Sequence, residues 1–286
     1  MKRGSAFAMA LPLYLFTLAF VLGPLLYMLV LSFLRREGTL GVALELTLRN
    51  YSRIAIPEYA ATFYQSLRLA LLCTVLVTVF GYPFGYFMAR LSPRWRGRVM
   101  LILIIPFWTS SLMRLYGWII VFRSNGTLDR LLMALGLSSS PLRLLYSYPA
   151  VVTGMVYVLL PFMIYSVFVS AEKMDWALVE AARVMGASAP QAFLTVTLPL
   201  TMPGLFSGIV LSFIPSMGLF FIADILGGNK VVLVGNLIQE QLMRGHDWPF
   251  AAALSVVLMV LTSCFIFLYR VLARFCGGSG ELEGLV

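Results

Sequence analysis

Long apolar runs alternate with shorter polar stretches along this chain. Six stand out, at about 6–33, 67–89, 99–122, 147–171, 204–226 and 250–274. A helix needs about 20 residues to cross the hydrocarbon core of a bilayer, and each run reaches that length. The pattern predicts an all-α polytopic membrane protein with six transmembrane helices. The first run is 28 residues long, so it has to tilt or protrude. It follows Met1-Lys2-Arg3, which imitates the basic start of a secretory signal. A cleaved signal has an apolar stretch of only about 7–15 residues. This run is longer and lacks a small-x-small cleavage site at a suitable distance, so it reads as a retained first span.

The polar stretches differ in character. Residues 34–66 and 123–146 are long and read as extracytoplasmic, with a short surface helix expected from Thr127 to Leu137. The 227–249 loop opens with Gly227-Gly228-Asn229 and closes with Asp247-Trp248-Pro249, where Trp248 suits a membrane interface. Gross counts of basic residues balance at ten on each side. Density breaks the tie, because Arg90, Arg94, Arg96 and Arg98 fall within nine residues that hold no acid. Short basic connections stay in the cytoplasm, which places both termini there. The tail Cys276–Val286 reads as flexible.

Composition narrows the class. The chain is 60% hydrophobic and only 12% charged, with a mean hydropathy of +0.92. Soluble domains carry about twice that charge, so a soluble globular enzyme is excluded, and so is a disordered chain. The 286 residues read as one membrane domain, 1–286. A net charge of +9 fits basic loops held against anionic lipid heads rather than nucleic acid. One histidine, His246, and three scattered cysteines give no metal or haem site. No phosphate-binding G-x-x-x-x-G-K-[ST] loop, H-E-x-x-H or G-x-S-x-G is present. The chain is therefore not expected to bind ATP, hold a cofactor or act as an enzyme.

The stretch 172–203 is the exception among the loops, because it reads as helix–turn–helix. A helix from Ala177 to about Met185 presents Glu180 and Arg183 on one side, with Ala181 and Ala182 small enough to let a partner approach. Gly186 can take the left-handed conformation that ends a helix. Ser188 can cap the next helix, with Pro190 in its first turn and Gln191 completing a capping box. That second helix is expected to end near Leu198-Pro199, with Pro203-Gly204 opening the fifth span. On physics alone this is a rigid docking hairpin or a surface hairpin without a partner.

Glu180-Ala181-Ala182, then Gly186 and a later Leu198-Pro199, resemble the signature of bacterial ABC importer permeases. In that family the loop is the coupling helix, seated in a groove of the cytoplasmic ATPase. The resemblance implies a type I (MetI-like) permease fold and gives Glu180, Ala181, Ala182, Arg183 and Gly186 the coupling role. Pro106-Phe107-Trp108-Thr109, Leu160-Pro161-Phe162, Leu198 to Gly204, Met217 to Phe220 and Asp247 to Phe250 further resemble the spermidine/putrescine permeases, B-type subunits. That likeness implies a heterodimer with a second permease, two ATPase subunits that bind ATP and Mg, and a periplasmic polyamine-binding protein.

Motion of the hairpin would reach span five through its second helix. There Gly204, Gly208, Pro215 and Gly218 either let the span bend or allow close packing; Gly81-x-x-x-Gly85 carries the close-packing reading. For cargo, Asp224 in the outer part of span five is costly unless it faces water, the interior or a partner. With Phe220, Phe221, Trp108 and Tyr157 it can line a cation path, since carboxylates and aromatic faces attract ammonium groups. Pairing of Asp224 with Arg114 stands as the alternative. Ferric iron, sulfate or thiamine are alternative cargoes. A stand-alone secondary transporter needs paired discontinuous helices in two repeats, and no such repeat is visible.

Overall fold

The computed structural model describes residues 11–38, 41–138, 140–228 and 230–275, with side chains described as far as Val271. Met1-Lys2-Arg3, the first five residues of the first apolar run, Asn229, the side chain of Arg274 and the tail Cys276–Val286 lie outside the described residues. In chain order the elements are helix α1 (Leu11–Ser32), strands β1 (Leu34–Glu37) and β2 (Gly41–Leu46), and helices α2 (Arg49–Ile54) and α3 (Pro57–Arg90). Next come α4 (Pro93–Ile104), α5 (Ser111–Phe122), α6 (Thr127–Ala134), α7 (Tyr148–Glu172), α8 (Ala177–Val184) and α9 (Ala189–Ala192). The last four are α10 (Leu198–Gly218), α11 (Phe220–Gly227), α12 (Val234–Met243) and α13 (Trp248–Phe275).

Among the described residues, five helices are long and apolar enough to cross a membrane, and a sixth span results if one bent pair is counted as a unit. The bent pair corrects the third apolar run. Instead of one straight helix over 99–122, the chain turns by 96° between Pro93–Trp108 and Ser111–Ala134. Ile105–Trp108 tightens into a 3₁₀ turn, and Thr109 and Ser110 are extended. Pro106 brings no N–H to the helix ladder. Thr109 Oγ1 donates instead to the Pro106 carbonyl at 2.8 Å, a local bond that competes with helix.

The fifth run is corrected at both ends. Its helix does not stop at Leu198-Pro199, because α9 continues into α10 through a π turn at Phe193–Thr197. The Leu198 N–H donates to the Phe193 carbonyl five residues back. That wider turn accommodates Pro199, whose ring would crowd the carbonyl four residues earlier in a regular helix. At the other end the helix breaks at Leu219, which leaves helical geometry with ψ 52°. Asp224, Phe220 and Phe221 therefore stand on the separate short helix α11.

The polar stretches hold more structure than their composition suggests. The segment 34–66 forms the antiparallel β1–β2 hairpin, α2 and the first turns of α3. Pro57 and Glu58 start α3 ten residues before its apolar run, as a first-turn proline and acid favour. The 227–249 loop contains α12. The expected surface helix at 127–137 forms as α6, but its Asp129 is buried, accepting from the Asn125 and Leu142 N–H groups at 2.8 and 3.0 Å.

Contacts divide the chain into two units, Met1–Phe63 with Val234–Ser263 and Tyr64–Leu233 with Cys264–Val286. In the first, Phe63, Val234, Leu237, Phe250 and Leu254 form a buried cluster. Asp247 there is 3% exposed. It binds Arg53 Nη1 at 2.8 Å and caps α13 by accepting from the Phe250 N–H.

The second unit is built around α7. Gly81 and Gly85 bring α3 against one side of it, and Gly204 and Gly208 bring α10 against another. A Cβ at Gly85 would lie 2.6 Å from the Ile164 carbonyl, and one at Gly204 2.6 Å from the Ser166 carbonyl. Met163 fills the space beside both Gly81 and Gly208. Ser166 Oγ donates to the Gly204 carbonyl at 2.9 Å. Gly204 and Gly208 are thus sites of close packing rather than of slack. Of the three glycines of α10, only Gly218, beside the break at Leu219, has open space around it.

Candidate functional site: the coupling hairpin and the transport path

The hairpin folds by local rules. Asp175 Oδ1 accepts from the Ala177 N–H at 3.0 Å and satisfies a free donor at the start of α8. α8 ends at Gly186, whose φ of +93° suits glycine. The Ala187 N–H reaches back to the Ala182 carbonyl at 3.1 Å, closing the helix end. The Ser188 N–H then donates to Gln191 Oε1 at 2.9 Å, the reach-back half of a capping box. Between the two helices Met174, Val179, Ala182 and Ala192 make a small core.

Glu180, Ala181, Arg183 and Gly186 are exposed on this hairpin. Ala182 is not; it is 7% exposed and belongs to the hairpin's own core. Residues three apart on a helix share a face, so Val179 and Ala182 turn inward together. Only one of the two alanines is therefore open to a partner. Val184 and Met185 were not singled out by sequence, yet they are 88% and 82% exposed at the tip. Helical phase carried that signal, because an inward 179/182 face leaves 180, 181 and 184 outside. Two apolar side chains beside Glu180 and Arg183 make a surface that can be covered by a protein groove.

The basic connection 90–98 also does internal work. Arg96 pairs with Glu172 at the end of α7, and its Nη2 donates to the Ala89 carbonyl at 2.9 Å at the end of α3. The Arg90 guanidinium lies over the rings of Tyr86 and Trp176, at 5.1 and 5.0 Å.

The five residues expected to line a cation path are only partly assembled. Phe221 on α11 and Tyr157 on α7 pack against the same buried core. Phe220 and Phe221 meet edge to face at 6.4 Å, and Asp224 is exposed one turn further on. Trp108 lies in the break of the bent pair, 81% exposed and without a ring contact among the described residues. Tyr157 is occupied: Arg114 lies 5.7 Å from its ring and 5.5 Å from that of Phe107, with Nη2 donating to Ser111 Oγ at 2.9 Å. A resident cation thus sits where an aromatic face was expected to meet cargo. α11 is held to α5 and α7 by Ile222 and Leu226, which close onto Leu115 and Gly154.

Residues 81–276 match the family model described as the binding-protein-dependent transport system inner membrane component. The chain belongs to that family. It is a transport subunit of the inner membrane and not an enzyme. Among relatives, the spermidine/putrescine transport system permease protein PotB of Haemophilus influenzae is 41% identical, over 92% of each chain. The protein of the same description from Escherichia coli K12 is also 41% identical, over 92% of this chain and 96% of its own. The fold is that of a bacterial alginate ABC transporter, solved in complex with an alginate pentasaccharide-bound periplasmic protein. The TM-score is 0.75 at 16% identity, covering 96% of this chain and 95% of that one. Family membership makes this chain one component of a transport system that depends on a binding protein.

Proposed function

We propose that this chain is the permease subunit of an ATP-driven importer of polyamines, of the spermidine and putrescine class. The 41% identity along 92% of the chain carries this reading. In it, the chain pairs with a second permease, and both termini are cytoplasmic. Two cytoplasmic ATPase subunits bind ATP and Mg and seat the hairpin, and a periplasmic binding protein delivers the cargo. Glu180 and Arg183 supply charged contacts to the ATPase, Ala181 lets it approach, and Val184 and Met185 fill its groove. Gly186 fixes the angle of the hairpin. Closure of the ATPases moves α8, and the unbroken α9–α10 rod carries that motion into the membrane as a rigid body. At the far end Asp224, with Phe220 and Phe221 one turn before it, offers a carboxylate and ring faces to a polyamine's ammonium groups.

The test is copurification followed by reconstitution. The chain is expressed with its partner subunits, pulled down on a tag and placed in liposomes, and ATP hydrolysis is measured with loaded binding protein. Stimulation by spermidine or putrescine is expected. A bound ATPase without polyamine stimulation discards the cargo and points to another small solute. Absence of any ATPase removes the importer reading.

A further inference from the structure

We infer that Tyr82, Tyr86 and Arg90 are positioning residues that tie the coupling hairpin to α3, so that the hairpin drives α3 as well as α10. This rests on the importer reading above and adds a second transmission route to it. The three residues are spaced four apart, which puts them in one row on the face of α3. Between them they meet the hairpin on both of its arms.

Tyr82 acts at the π turn. Its hydroxyl lies 2.7 Å from Thr201 Oγ1. Thr201 Oγ1 itself donates to the Thr197 carbonyl at 2.8 Å. A hydroxyl has one proton to give, so Tyr82 must be the donor to Thr201. The resulting relay, Tyr82 to Thr201 to the Thr197 carbonyl, fastens α3 to the segment where α9 becomes α10. Phe193, at the start of that turn, sets its ring edge on both Tyr82 and Tyr86, at 6.1 and 5.9 Å.

Tyr86 and Arg90 act where the chain enters α8. The Tyr86 ring packs on Trp176 at 5.7 Å, and Arg90 lies over both rings. Trp176 immediately precedes α8. One row on α3 therefore holds the hairpin at Trp176 on the way in and at Phe193 on the way out. Movement of α8 towards α10 therefore also displaces or carries this row. Because Gly81 and Gly85 lock α3 onto α7, the motion passes onward to α7. Tyr86 contributes through its ring faces, while Tyr82 contributes through its hydroxyl, and conservative variants separate these two roles.

The experiment measures polyamine transported per ATP hydrolysed in the reconstituted complex. Tyr86→Leu and Arg90→Gln should still copurify with the ATPase and hydrolyse ATP, with the transport-to-hydrolysis ratio lowered by roughly fivefold or more. Tyr86→Phe, which keeps the ring, should restore the ratio, whereas Tyr82→Phe, which loses the donated bond, should not match its wild-type value. Arg90 is exposed, so Arg90→Gln tests the idea even where Tyr86→Leu fails to assemble. Wild-type ratios in both Tyr86→Leu and Arg90→Gln overturn the proposal and leave the importer reading intact. Equal impairment of Tyr86→Phe and Tyr86→Leu also overturns it. A wild-type complex that holds no ATPase removes the importer reading and this proposal with it.

Discussion

The two ends of α10 behave in opposite ways. Towards the hairpin the helix runs on through Pro199 and a π turn into α9. Towards α11 it stops at Leu219, one turn after Pro215, whose carbonyl accepts from the Leu219 N–H. The continuous end adjoins the segment that meets the ATPase in the proposed importer, and the broken end adjoins the acid and the paired phenylalanines. The same helix is thus a rod where force enters and a joint where cargo would pass. Proline count does not predict which end breaks. The surroundings of the two ends differ: Tyr82 and Tyr86 brace the π turn through Thr201 and Phe193, whereas nothing lies within 4 Å of where a side chain on Gly218 would begin.

The largest effect should come from spoiling the middle of the rod. Gly204→Leu places a side chain against the Ser166 carbonyl and the Ser170 side chain. Overpacking against backbone costs about 3 kcal/mol or more, and α7 has little room to shift because Gly81 and Gly85 hold it closely against α3. The expected outcome is loss of folded protein in detergent extracts, read by size-exclusion chromatography. A well-folded variant would mean that α7 and α10 are less tightly joined than their geometry indicates.

The next effect isolates the continuous end. Glu180→Lys reverses a charge on the exposed face of the hairpin and leaves its core of Met174, Val179, Ala182 and Ala192 untouched. The spans should fold normally, while the ATPase binds on the order of 100-fold more weakly, as when a docked charge meets its own sign. Copurification with the ATPase checks this. Full binding and uptake would take Glu180 out of the docking surface.

Beyond the broken end the prediction inverts. Asp224→Asn should leave the permease assembled and the ATPase bound, yet reduce polyamine uptake to near zero. Asn keeps the shape and removes the charge that attracts an ammonium group. Uptake at the wild-type rate would show that the carboxylate serves the structure of α11 rather than the cargo.

The contrast between the ends also explains what the sequence made legible. The second, fourth and sixth apolar runs and the hairpin's stop and start signals at Gly186, Ser188 and Gln191 are local, and they form as their chemistry predicts. The third span depends on a 96° turn that hydropathy cannot register, since Thr109 and Ser110 interrupt an apolar run without changing its average. Ala182 looked like half of an open pair because its burial depends on the core it shares with Met174 and Ala192, which only the folded hairpin assembles. The path residues were the hardest to read. Tyr157 and Phe107 flank Arg114 from helices far apart in sequence, and no spacing rule links them.

The smallest effect tests whether the hairpin is as self-sufficient as its local bonds suggest. Gln191→Ala removes the side chain that accepts from the Ser188 N–H at 2.9 Å and leaves Ser188, Pro190 and Gly186 in place. Loss of one half of a capping box costs about 0.5–1 kcal/mol. Spread over a protein of this size, that shifts Tm by only about 2–4 °C, and the effect should concentrate in hydrogen exchange at 188–192. Transport per ATP should fall slightly or not at all, because Tyr82, Phe193 and Trp176 still hold both arms of the hairpin. A large drop in coupling from this one substitution would mean that the cap at Ser188, and not the row on α3, sets the angle at which the rod leaves the hairpin.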